Sequence, residues 1–179
     1  MPYHPALEAL LDGIREQTLA RAMQTVTARY HEASGAGAPL VKIREEALSY
    51  AAARMDATRA AAEAALSQLC TLAPGFAPES LLDVGAGTGA ATFAALSLFP
   101  TLKRCVCAER ARVMSEAGAA LFAACETPSV RYIAFDAAQK DAAPDPADLV
   151  VTAYMINELA PDARERVVRL LWHSTRRCV

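Results

Sequence analysis

Apolar residues recur every three or four positions near the start of the chain, at Leu7, Leu10, Leu11, Ile14 and Leu19, which places them on one face of a helix. The pattern breaks at EASGAGAP, where small residues and Pro39 interrupt it. It resumes from about Leu40 to Leu69 as a second helix, with an internal adjustment expected near Asp56. Residues 1–70 therefore read as an N-terminal helical module. The loop TLAPGFAPES, Thr71 to Ser80, marks its boundary with a second unit over residues 71–179.

Beyond that loop, short apolar runs alternate with helical stretches. SLLDV reads as a strand and Ala90 to Leu98 as a helix; CVCAE is a strand, followed by a helix from Arg110 to Cys125; VRYIAF is a third strand. After the DAAPDP loop, ADLVVTAY is a fourth strand, and a helix follows from about Pro161 to Ser174, with the proline suited to its first turn. Such alternation predicts an α/β fold, a parallel sheet covered by helices on both faces.

Composition narrows the class without naming a function. With 54% hydrophobic and 21% charged residues, the chain is not disordered. Its net charge of -2 gives no overall basic field to draw the whole molecule onto nucleic acid or an anionic membrane. No apolar run approaches the ~20 residues that span a bilayer, and MPYHPALEALLDG lacks the pattern of a secretory signal, so a cytoplasmic setting is expected. The odd set of cysteines, Cys70, Cys105, Cys107, Cys125 and Cys178, fits reduced thiols better than a disulfide framework. Cys105 and Cys107 form a C-x-C pair inside a predicted strand, with no second pair at a zinc-like spacing, and read as buried structural thiols.

The candidate chemistry begins at LLDVGAGTGA. Gly85, Gly87 and Gly89 follow the first strand, where ligands bind at the carboxyl edge of such sheets. Glycines there let the backbone approach a ligand and turn into a helix whose amide-rich N-terminus favours an anionic group. A carboxylate is expected about 20 residues on, at the end of the second strand, to accept ribose hydroxyls, and Glu109 stands there. These features fit NAD as well as S-adenosylmethionine, since Gly85, Gly87 and Ala90 also satisfy G-x-G-x-x-G/A. Asp83 separates the two: two residues before the first glycine, its carboxylate can orient loop amides and answer a ligand ammonium, whereas it would repel a pyrophosphate. Asp136, after the third strand in AFDAAQ, can accept from an adenine amino group or cap a turn.

D-V-G-A-G-T-G with Glu109 and Asp136 resembles the class I S-adenosylmethionine-dependent methyltransferases. With SYAAARMDATRAA, SLLDVGAGTGAAT and ADLVVTAYMINELAPDARERVVRLLW included, the chain from about Tyr30 onward is similar to the methyltransferase-like family of the small ribosomal subunit, found in bacteria and as a mitochondrial assembly factor. The AYMINEL stretch is the most specific part. The resemblance implies a Rossmann-like sheet, S-adenosylmethionine as cofactor, and the small ribosomal subunit or its rRNA as partner. By position, Asp83 and the Gly85-Ala86-Gly87 turn would hold the amino acid end of the cofactor, Glu109 the ribose, and Asp136 with Ala137 the adenine. Tyr154 and Asn157 would face the sulfonium and the substrate mouth, and Tyr50 and Arg54 would either close the pocket or serve packing and solvation. Thr88 stands where the family usually has proline.

No catalytic residue is assigned. N-P-P-Y is absent, its place reading M-I-N-E; Tyr154, Asn157 and Glu158 are the polar candidates, although Glu158 also suits the first turn of the next helix. Methyl transfer needs positioning and water exclusion more than a dedicated base. A complete sheet of this class has seven strands and four are counted here, with RRCV where a fifth would begin. The expectation is a sheet cut off after its fourth strand, whose apolar LVVTAY edge would need a missing segment or second chain. Nothing corresponds to the C-terminal cysteine cluster of the family's longer members, and no metal is expected. Arg164, Arg166, Arg169, Arg176 and Arg177 could meet RNA phosphates or form a solvated face that complements the helix dipole. Two alternatives to an enzyme of this family remain: a non-catalytic assembly or RNA-binding scaffold that keeps the cofactor fold, and an NAD-linked oxidoreductase, which Asp83 disfavours.

Overall fold

Among the described residues, the alternating segments assemble into a five-stranded, wholly parallel sheet in the order β3-β2-β1-β4-β5. The computed structural model describes residues 3–33, 40–125, 127–139 and 143–178. The strands are β1 Ser80–Val84, β2 Arg104–Glu109, β3 Ser129–Ala134, β4 Ala147–Val151 and β5 Thr175–Cys178. The helices are α1 His4–Leu11, α2 Glu16–Ala33, α3 Arg44–Leu72, α4 Ala90–Leu98, α5 Arg112–Ala123 and α6 Pro161–His173, with one 3-10 turn at Met155–Glu158.

The pleat sorts each strand's residues onto two faces. Leu81, Cys105 and Leu149 pack against Leu66 of α3 and Ala94 and Ala95 of α4. Leu82, Val84 and Val150 face the other way, onto Ala163, Val167 and Leu171 of α6. Being sandwiched, β1 is buried along its whole length, which is why Leu81, Leu82 and Val84 place apolar side chains on both of its faces. Ala51 and Met55 of α3 meet Phe93 of α4 and Leu121 and Phe122 of α5, and Tyr3, Ala6 and Leu7 join the same cluster. The N-terminal helices thus share a core with the helices of the sheet.

The structure departs from the expected elements in three places. The first helical stretch is two helices, parted between Leu11 and Glu16, where Gly13 takes φ 76°; the left-handed conformation ends a helix, and Asp12-Gly13 is a turn signal. The break expected at EASGAGAP falls, for residues 34–39, outside the described residues, as do Asp141 and Ala142 of the DAAPDP loop. α3 continues through Asp56 without the expected adjustment; its carboxylate accepts from the Tyr3 hydroxyl at 2.5 Å and lies 2.9 Å from His4 Nε2.

The third departure corrects the strand count. β5 pairs with β4, Ala147 opposite Thr175 and Leu149 opposite Cys178, with an irregularity between. The apolar β4 therefore lies between β1 and β5 rather than at an edge. The strand escapes a hydropathy reading because Thr175, Arg176 and Arg177 form no apolar run; backbone pairing to β4 holds it. Among the described residues, the connection from β3 to β4 contains no helix, and no helix is long and apolar enough to cross a membrane.

Candidate functional site

β1 lies between β2 and β4, so the chain leaves these neighbours in opposite directions and a crevice opens at their carboxyl ends. A cavity of about 120 Å³ occupies it. Its walls include Gly85, Ala86, Gly87, Glu109, Asp136 and Ala137 from the loops that follow β1, β2 and β3, and Tyr154, Met155 and Glu158 from the turn after β4. Tyr30 of α2 and Tyr50 of α3 close it from the helical side.

The glycine loop is held by its neighbours. Gly85 N–H donates to the Ala108 carbonyl at 2.8 Å, and Gly87 N–H to Glu109 Oε2 at 2.9 Å. Glu109 Oε1 accepts from Ala111 N–H at 2.7 Å, so one carboxylate spans from the loop to the start of α5. Gly85 takes φ 72°, and a Cβ built there would lie 2.5 Å from Met155 Cγ. Only glycine meets both conditions. Gly89 caps α4 at φ 90°, where a Cβ would lie 2.4 Å from a Phe122 ring carbon. Thr88 is buried, and its hydroxyl donates to Met55 Sδ at 3.6 Å.

Asp136 Oδ1 accepts from Ala138 N–H at 2.9 Å, which caps the turn and leaves Oδ2 as a further acceptor on the cavity wall. Asp83 lies elsewhere. It is 1% exposed, off the cavity wall beneath the loop, with Oδ2 accepting from the Thr92 hydroxyl at 2.8 Å. Oδ1 is buried without a hydrogen-bond partner among the described residues. Burial pushes its carboxyl up to about 7; the Thr92 hydroxyl and amide oppose the rise and Glu109 adds to it.

Tyr154 adopts the left-handed conformation at φ 65°, alone among the described non-glycine residues, and its side chain is exposed. Strain of this kind clusters at functional sites. Glu158 Oε1 accepts from the Tyr30 hydroxyl at 2.8 Å, and the Tyr30 and Tyr50 rings stack 6.1 Å apart at 17°. Burial raises the Glu158 carboxyl above its usual range, with Glu109 contributing; the Tyr30 hydrogen bond and Arg110 oppose the shift. Tyr30→Phe would leave this half-buried carboxylate without its donor and should lower stability by about 1–2 kcal/mol, measured by urea unfolding.

Asn157 and Arg54 are exposed and lie off the cavity wall. The Arg-rich C-terminal set forms no single face: Arg164 and Arg166 donate to the carbonyls of Leu159 and Ala138, Arg169 pairs with Glu165, and Arg177 donates to the Ala77 carbonyl over the Phe76 ring. Arg176, next to Arg177 in β5, lies near Asp148. Sequence reasoning missed Tyr30 and Met155. Met155 sits within AYMINEL, but its contact with Gly85 emerges only from the sheet order; Tyr30 carries no local signal.

Two solved structures share this architecture. An S-adenosylmethionine-dependent methyltransferase from Clostridium acetobutylicum is 15% identical, with a TM-score of 0.56 over 71% of this chain and 50% of that one. A candidate S-adenosylmethionine-dependent methyltransferase from Methanococcus maripaludis is 16% identical, with a TM-score of 0.54 over 71% and 58% of the two chains. At such identities the likeness is one of fold, and it defines a Rossmann-like methyltransferase fold with helices ahead of it. Human mitochondrial ribosome assembly protein METTL17 is 32% identical over 133 residues, which cover 72% of this chain and 29% of that protein. Residues 44–179 match the family described as mitochondrial small ribosomal subunit Rsm22, and the chain belongs to that family.

Proposed function

We propose that the cavity binds S-adenosylmethionine and that the chain is a methyltransferase-like protein that acts on, or assembles, the small ribosomal subunit through its rRNA. The supporting observation is the convergence of the Gly85–Thr88 loop, Glu109 and Asp136 on one cavity at the switch point of the sheet. These groups fit the cofactor: a glycine cradle for its amino acid end, a carboxylate for ribose hydroxyls and another for the adenine amino group. Once bound, it would supply an electrophilic methyl group. The chain's part is to orient that end with the loop, with Ala137 beside Asp136 on the wall that would hold the adenine and Tyr154 at the mouth, and to exclude water with Tyr30 and Tyr50. Residues 1–70 then act as a helical cover and residues 71–179 as the cofactor-binding unit. The odd number of cysteines, scattered through apolar segments, supports a reducing compartment, which we take to be the cytoplasm.

Calorimetric titration tests this reading. S-adenosylmethionine and S-adenosylhomocysteine should bind and NAD should not; binding of NAD alone overturns it. Glu109→Gln removes a charged acceptor and loosens the Gly87 and Ala111 amides, a loss of about 2–3 kcal/mol, and should weaken S-adenosylmethionine binding about 30- to 100-fold. Unchanged affinity would remove Glu109 from the site.

A non-catalytic scaffold is favoured by two details. Asn157 lies off the cavity wall, and Glu158 is engaged by Tyr30, so an acceptor whose methylation required proton removal would find no base ready in either. Transfer of a labelled methyl group to small-subunit particles distinguishes the readings; cofactor binding without transfer favours the scaffold.

A further inference from the structure

Crossover helices normally cover both faces of a parallel sheet. Here α3, α4 and α5 share one side, and α6 covers the other over β1 and β4. Since the described part of the β3–β4 connection is not helical, the β2–β3 half of α6's face carries no helix of its own. Val106 and Ile133 there are only half-buried.

Two arginines project from that half. Arg104 opens β2 opposite Ser129, and Arg131 lies opposite Val106. Positions paired across neighbouring strands, and alternate positions within one, share a face, so both arginines stand on the side of Val106. A cavity of about 330 Å³ opens at the amino edge of the sheet, the end remote from the glycine loop, and Arg104, Arg131 and Arg176 of β5 all line it.

The charges there are poorly balanced. All three arginines are exposed. Among the described residues, Asp145 is the acidic residue on the wall, 3.9 Å from Arg131 and 93% exposed, which makes a weak pair. Asp148 lies close to Arg176, but its Oδ2 already accepts from the Glu79 and Ser80 amides at 2.9 and 3.1 Å. Lys103 and Glu79 neutralise each other at 2.8 Å. Arg104 makes no ion pair among the described residues.

We propose that this amino-edge surface binds the sugar-phosphate backbone of a single RNA strand through Arg104, Arg131 and Arg176. Charge complementarity selects a polyanion, and the spread of the arginines selects an extended one. β3 and β5 are four strand spacings apart, about 19 Å at roughly 4.8 Å per strand, whereas phosphates recur about every 3.4 Å along a stacked strand. The inference deepens the proposed association with the small subunit and rests on that reading for the choice of RNA.

The test is fluorescence anisotropy with a labelled 12-nucleotide single-stranded RNA across a salt series. The wild-type chain should bind with affinity that falls as salt rises. The triple variant Arg104→Glu, Arg131→Glu, Arg176→Glu should lose at least 100-fold at low salt. A triple Ala variant should reduce the log–log salt slope by about 2, three contacts at roughly 0.7 each. Arg104→Ala and Arg176→Ala, at exposed positions, should each weaken binding about 3- to 10-fold with unchanged thermal melts.

Full affinity in a folded triple variant overturns the proposal, and so does pyrophosphate binding tighter than the 12-mer with the same arginine dependence. S-adenosylmethionine titration of the same variants separates this inference from the reading of the cavity. Arginine-dependent RNA binding without cofactor binding sinks the cavity assignment alone, and cofactor binding with arginine-independent RNA binding sinks this one.

Discussion

Phe93→Ala is expected to lower the thermal midpoint by about 6–20 °C. The ring is fully buried in the first turn of α4, stacked on Phe122 of α5 with centroids 4.0 Å apart at 11°, and 5.1 Å from the Tyr3 ring. It joins three segments: the N-terminal residues, the helix after the glycine loop and the helix after Glu109. Truncating a buried phenylalanine costs about 3–5 kcal/mol through lost burial and the cavity left behind, and each kcal/mol moves the midpoint of a chain this size by about 2–4 °C. The effect extends to the site, because Phe122, the partner of Phe93, also packs against Gly89. Phe93→Leu, which refills most of the volume, should recover more than half of the loss. A circular-dichroism melt checks both variants, and a midpoint within 2 °C of wild type for the alanine variant would mean that the aromatic stack is not a keystone of the core.

Some of this arrangement was legible because strand chemistry is local. Leu81, Leu82 and Val84 are apolar on both faces of β1 because a central parallel strand has no solvent face, and Glu109 and Asp136 stand on the cavity wall at the strand ends from which they were counted. Other features depend on neighbours that no window contains. β5 lacks an apolar pattern because β4 recruits it through the backbone. The Tyr30–Glu158 hydrogen bond joins residues 128 positions apart. Asp83 reads along the chain as the last polar residue before a loop, yet the pleat gives it the same side as Leu81 and aims it at Thr92 of α4. One residue's parity therefore decides whether a carboxylate meets the ligand directly or supports the loop from beneath.

That buried carboxylate should make stability depend on pH in a direction opposite to that of an ion-paired aspartate. Its folded value of about 7 lies above the ordinary 3.8, chiefly because burial penalises the charge. The groups around it cannot neutralise it: Glu109 carries the same sign, burial keeps the Cys105 and Cys107 thiols protonated, and Tyr132 is likewise raised by burial. Between the two values the unfolded chain has released the proton that the folded chain keeps. The stability tied to the neutral form is fully present below about pH 4, is lost as pH rises towards 7, and changes no further above that. From pH 5 to pH 8 the loss is on the order of 2–3 kcal/mol. Asp83→Asn keeps an acceptor for the Thr92 hydroxyl without the charge, so its unfolding free energy should lack this component and gain on the wild type at pH 8 relative to pH 5. Urea unfolding at the two values measures it, and an equal pH dependence in both proteins would exclude Asp83 as the titrating group. The same pair of proteins bears on the cofactor: if the ionised carboxylate answers the ammonium end of S-adenosylmethionine, wild-type affinity should rise through pH 7 while Asp83→Asn binds weakly and without that rise. Equal affinity in both proteins at pH 8 would leave Asp83 with a structural role alone, under the loop and against α4.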